Sequence, residues 1–192
     1  ALALPVYLTA EEEKPAKPDS PPAEKKEGKK DEKKEDKKPD GDKPVVTQGK
    51  VTIGGKEIAY EAKAGTLPIL KPDGKVSAQV FYTSYTLKDV KDAATRPVTF
   101  CFNGGPGSSS VWLHLGAFGP KRVDLPADGL TPPTPPGGLV NNEFSLLDVT
   151  DLVFIDPVST GFSRAEDPKN VSEFLGVQED IASVGEFMRL WV

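Results

Sequence analysis

With 192 residues, 37% of them hydrophobic, and a formal net charge of −5, the chain has material for one globular domain plus an appendage and too little for two. The mild acidity excludes a one-sidedly basic nucleic-acid binder. The lone cysteine, Cys101, excludes an internal disulfide framework.

Residues 1–10, Ala1-Leu-Ala-Leu-Pro-Val-Tyr-Leu-Thr-Ala10, are apolar and uncharged and meet Glu11-Glu12-Glu13 abruptly. They read as a signal-peptide remnant, with small Ala10 at a cleavage position; an arbitrary starting point is the alternative. Export, periplasmic or extracellular, is the expectation, without a stable membrane span, since ten residues are too few to cross a bilayer. Residues 11–46 are dominated by Lys, Glu, Asp and Pro, eleven lysines between Glu11 and Pro44 facing twelve acidic residues. So little apolar surface does not offset the entropy of ordering, and a disordered linker is expected.

Structure is expected to begin near Val45, with the folded domain over residues 47–192. Lys50–Ile53 and Glu57–Ala62 flank Gly54-Gly55 as two short strands around a tight turn. After the Lys71-Pro-Asp-Gly74 turn, the alternation of Val76, Ala78, Val80 and Tyr82 predicts a strand over Val76–Thr86. Turns this short make the early strands antiparallel. Pro97–Phe102 is a near-continuous apolar run, as in a strand buried on both faces, and leads into Asn103-Gly-Gly-Pro-Gly107. Ser108-Ser109-Ser110 offer helix caps. Val111, Trp112, Leu115 and Phe118 form a short helical face that Gly119-Pro120 ends. A Pro- and Gly-dense loop follows from Asp124 to Asn142, then a second buried strand, Asp151–Asp156, and a loop from Pro157 to Arg164. Phe174, Val177, Ile181, Val184, Met188 and Trp191 mark an amphipathic helix over 172–192, with Asn170 and Glu173 as its cap. The fold class is α/β, the opening of a mixed sheet with helices on its faces.

Glycines at the end of a buried strand let a ligand reach bare backbone amides, and a helix start adds oriented N–H groups. Three readings compete for this turn. Nucleotide phosphate binding fails on chemistry, because Gly107 is followed by three serines and no lysine, and no glycine completes a dinucleotide fingerprint. A purely structural turn is the second. An oxyanion hole is the third, one donor amide coming from the loop after the third strand as in α/β-hydrolases.

At these residues the chain resembles the serine carboxypeptidase family. Phe102-Asn-Gly-Gly-Pro-Gly-Ser-Ser109, Leu115-Gly-Ala-Phe-Gly-Pro120 and Leu152-Val-Phe-Ile-Asp-Pro-Val-Ser-Thr-Gly-Phe-Ser163 look like that family's opening blocks. The likeness covers Val76 to Val192 and points to a bacterial branch. It implies the N-terminal part of an α/β-hydrolase that cleaves peptides from the C-terminus through an acyl-enzyme. Gly105 would supply an oxyanion amide, Asn103 and Gly104 would hold the substrate's terminal carboxylate, and the block from Asp156 to Gly161 would lie near the active-site face. The family's nucleophile elbow and its Asp and His match nothing in these 192 residues, so the chain alone is expected to be inactive, with an open sheet edge. Ser108 stands where many members carry a disulfide cysteine, and Ala117 where many carry a glutamate that binds the terminal carboxylate. Acyl hydrolysis in general is thus implied further than strict carboxypeptidase specificity, and a related esterase or acyltransferase, or a non-catalytic binding protein of the envelope, stays open.

Other candidates read as structural. Gly161-Phe-Ser-Arg-Ala165 imitates a nucleophile elbow, but Ser163 lies seven residues beyond the strand end at Asp156, whereas an elbow serine sits directly after its strand. His114, the single histidine, has no obvious serine and carboxylate to make a triad. Asp148 and Asp151 read as turn residues. No cofactor is expected, and no metal, there being no Cys/His cluster with zinc spacing. The expected partner is a peptide or acyl substrate; oligomeric state is left open.

Overall fold

A computed structural model describes residues 43–104, 107–133 and 135–192; the readings for residues 1–10, for most of the 11–46 linker and for Gly105 lie outside these. Strand β1 (Val45–Ile53) turns at Gly54-Gly55 into β2 (Lys56–Leu70), which pairs antiparallel with β3 (Val76–Leu87). Both glycines of the turn have positive φ, 54° and 77°, the requirement of a two-residue hairpin. The strands are longer than the sequence pattern suggested, because β2 keeps pairing with β3 to Leu70 after its register with β1 ends at Ala64. Pro68, which has no N–H to donate, sits in that stretch, where β2 has β3 as its one partner among the described residues.

Strand β4 (Val98–Cys101) and β7 (Asp151–Ile155) pair in parallel, and β7 inserts between β3 and β4, giving the order β1-β2-β3-β7-β4. Between them lie α1 (Val111–Leu113), continued by a wider π turn over His114–Phe118, and the short antiparallel pair β5 (Lys121–Val123) and β6 (Leu139–Asn141). The expected Asp124–Asn142 loop is thus closed at its base by a strand pair. A two-residue strand β8 (Arg164–Ala165) joins the edge of β3.

Alternation in β7 builds two cores. Val153 and Ile155 pack with Tyr82 of β3 and with Phe174, Val184 and Phe187, which belong to a 3-10 helix (Pro168–Phe174) and to helix α2 (Val177–Trp191). Leu152 and Phe154 pack on the other face with Tyr85, Cys101 and Leu147, flanked by Leu113 and Phe118. Fully burying a side chain such as Phe187 stabilises by about 2–3 kcal/mol. The sheet is therefore mixed, antiparallel first and parallel after, with a helix on each face, as expected for this fold class.

Three local expectations are corrected. β4, predicted to be buried on both faces, has β7 as its one partner among the described residues, and Phe102 just beyond it is 45% exposed. In the short helix Phe118 packs on the sheet as expected, but Trp112 is 70% exposed and Leu113 packs beside Phe118 in its place. The second helix does not run unbroken from 172. Asp167, not Asn170, caps the 3-10 helix by accepting the Lys169 N–H, and α2 starts after Gly176.

Candidate active site

The glycine turn lies at the carboxyl end of β4, beside the carboxyl end of β7, the place where open α/β sheets bind ligands. A cavity of about 950 Å³ opens there. One wall is Phe102, Asn103, Gly104, Gly107 and Ser108; the loop from Pro157 to Thr160 and the α2 residues Val177, Asp180 and Ile181 form the others. Val177 and Ile181, part of the apolar stripe expected of this helix, are 75% and 63% exposed and line this cavity.

Of the predicted site residues, Asn103 and Gly104 both line it. The Asn103 side-chain amide donates to Ser108 Oγ at 2.7 Å and to the Gly104 carbonyl at 2.8 Å. Asn103 therefore ties the two ends of the turn together through the Ser108 hydroxyl. The Ser108–Ser110 run does not cap α1 by the expected side-chain bond: Ser110 is the N-cap residue, and its hydroxyl points elsewhere.

It points to Asp156, a residue the sequence reading placed near the site without a task. The carboxylate is buried, and its Oδ1 accepts the Ser110 N–H at 2.8 Å and the Ser110 hydroxyl at 2.9 Å. Its Oδ2 accepts the Phe162 N–H at 3.3 Å. Gly161 has φ +45°, and a Cβ there would come within 1.8 Å of Oδ2; only glycine lets the loop close over the acid.

Ser163 is fully buried, donating to the Asp156 carbonyl at 2.5 Å and accepting the Phe81 N–H at 2.7 Å. It is a loop clasp and not a nucleophile. His114 stacks on Phe154, ring centroids 4.6 Å apart, and its Nε2 is 2.6 Å from the Tyr85 hydroxyl. Burial drives its pKa down to about 4, against a smaller upward pull from Asp156, so the ring is neutral and structural. Asp151 is not turn chemistry. Its Oδ1 accepts from Arg96 Nε at 2.7 Å and from the Leu87 N–H at 2.9 Å, a nearly buried ion pair at the far end of the strands. Burial pushes the Cys101 thiol up as well, which keeps it unreactive. Among the described residues no cluster of three or more His, Cys, Asp or Glu gathers to hold a metal, and no helix is long and apolar enough to cross a membrane.

The family model described as serine carboxypeptidase matches residues 56–191. Serine carboxypeptidase-like 36 of Arabidopsis thaliana is 31% identical over 115 residues, covering 59% of this chain and 21% of the relative. The pheromone-processing carboxypeptidase KEX1 of Saccharomyces cerevisiae is 34% identical over 105 residues, covering 52% and 13%. A crystal structure of that prohormone-processing carboxypeptidase is 32% identical with a TM-score of 0.49, covering 67% of this chain and 26% of its own. The chain thus spans about a quarter or less of the length of these relatives. From residue 56 to 191 the chain belongs to the serine carboxypeptidase family.

Proposed function

We propose that the full-length protein is a serine-type carboxypeptidase, to which this chain contributes the oxyanion turn and the binding site for the substrate's terminal carboxylate. The observation that carries this reading is the glycine turn at the carboxyl ends of β4 and β7, opening on a cavity about 950 Å³ in volume. In this scheme the Gly105 N–H meets the oxygen of the scissile carbonyl as it gains charge. Such a preorganised donor is worth about 3–4 kcal/mol in the transition state. Asn103 and Gly104 orient the chain end, and the nucleophile, its acid and its base come from elsewhere in the protein. The apolar segment ahead of the charged linker supports export as a secreted protein.

Asn103→Asp tests the carboxylate role. The new charge faces the substrate's terminal carboxylate, so KM for an N-blocked dipeptide should rise at least tenfold. The matched C-terminal amide shares every loop disturbance and lacks the charge, and its KM should change far less. Equal changes for both substrates would remove Asn103 from carboxylate recognition. The related reading, an esterase or acyltransferase, is favoured by Ala117, which puts a methyl group where many family members are implied to carry a glutamate. Faster turnover of a blocked amino-acid ester than of any free-acid peptide would select it.

A further inference from the structure

We propose that Asp156 is a positioning residue for the oxyanion turn, an inference that rests on the reading just given. Three hydrogen bonds converge on its carboxylate from two separate stretches of chain. Ser110 contributes its N–H and hydroxyl from the start of α1, three residues after Gly107, and Phe162 contributes its N–H from the loop beyond β7. Both stretches wall the same cavity, through Gly107 and Ser108 on one side and Pro157 to Thr160 on the other. The acid itself cannot drift. Its N–H donates to the Phe81 carbonyl at 3.0 Å, and its carbonyl accepts the Ser163 hydroxyl. Residue 156 is therefore anchored to the sheet, and the carboxylate relays that anchorage to the helix start and so to the glycine turn.

The chemistry calls for a carboxylate. An ionised acid is acceptor-only, and all three groups facing it are donors. A charge-assisted bond is shorter and stronger than a neutral one. An asparagine of the same shape turns an NH₂ toward Ser110, whose hydroxyl can accept but whose N–H cannot, or toward Phe162, whose N–H cannot; either way a backbone donor loses its acceptor and the link between the two stretches is weakened. The Gly161 contact shows how tightly the loop closes on the acid: its nearest approach leaves no room for a methyl group.

The test uses the full-length protein carrying Asp156→Asn, with Arg96→Met at the opposite end of β4 as a destabilised control. Turnover of an N-blocked dipeptide, inhibition by an N-acyl aminoboronic acid and thermal unfolding are measured for each. A transition-state donor displaced by about 1 Å costs on the order of 100-fold. Asp156→Asn should therefore lower kcat by about 10- to 100-fold, weaken the boronic acid in parallel, and change KM less than about threefold. Arg96→Met should lose thermal stability while keeping kcat below its melting temperature. Retained kcat and boronic-acid affinity in Asp156→Asn, with only lower stability, would overturn the proposal. If that variant does not fold, Ser110→Ala removes the hydroxyl bond alone; an unchanged kcat there overturns it equally, and a several-fold fall supports it. Absence of fluorophosphonate-sensitive turnover in the wild-type protein would instead sink the hydrolase reading itself.

Discussion

His114 offers a clean test of how the core is built, because it is the one histidine of these 192 residues. Its ring lies flat on Phe154 and meets the Tyr85 hydroxyl through Nε2. A neutral ring keeps one nitrogen as an acceptor and bonds that hydroxyl in the direction its tautomer sets; an imidazolium carries hydrogen on both nitrogens and can only donate. Burial holds the folded pKa at about 4, whereas an unfolded histidine titrates near 6.5. The folded pKa is depressed, so the unfolded chain takes up the proton first as pH falls. The stabilisation is complete above pH 6.5 and is lost progressively down to pH 4. At 1.36 kcal/mol per unit the loss amounts to about 3 kcal/mol. Urea denaturation of wild type and His114→Gln from pH 7.5 to 4 should show the difference, the wild type losing about 1.4 kcal/mol more per pH unit in the middle of that range. A His114 imidazole titrating near 6.5 in the folded protein, identified as the signal missing from His114→Gln, or equal slopes for the two proteins, would refute the reasoning.

Arg96→Met should cost up to about 3 kcal/mol, because the nearly buried Asp151 would be left without its cation. The double variant Arg96→Met/Asp151→Leu should recover much of that loss in the same denaturation assay. Ser163→Ala should destabilise by about 2 kcal/mol, since it strands the Phe81 N–H and the Asp156 carbonyl. It should leave measurable peptide turnover in the full-length protein, and complete inactivation of a folded variant would contradict the clasp role.

Much of this was legible in the residues, for physical reasons. The Asp151–Ile155 run announces a strand with apolar neighbours on both faces, and it became the strand between β3 and β4. Val184, Met188 and Trp191 follow the helical period that buries one stripe, and all three meet the core. Ser163 lies too far from its strand end to be an elbow nucleophile, and its burial agrees. The misses have a common origin in strand order and long-range pairing, which periodicity does not encode. Phe100 and Phe102 look alike in sequence, yet Phe100 stacks edge-on against Trp191 while Phe102 faces the cavity. Asp156 and Ser110 are 46 residues apart, and neither the Asp-Pro-Val block nor the serine run hints that one carboxylate joins them. A signal existed in Gly161, five residues after an acid at a strand end, but a glycine reads as a turn until the loop's closure is seen. The π turn after α1 likewise follows from packing against Phe154 and not from local propensity.

The account rests on the turn from Asn103 to Gly107 presenting donors to a reacting oxygen. A crystal structure of the full-length protein with an N-acyl aminoboronic acid bound tests this directly. The predicted result is a boronate oxygen about 3 Å from the Gly105 nitrogen, with the ligand's chain end beside Asn103. A boronate seated elsewhere, with the turn's amides bonded within the protein, would contradict it.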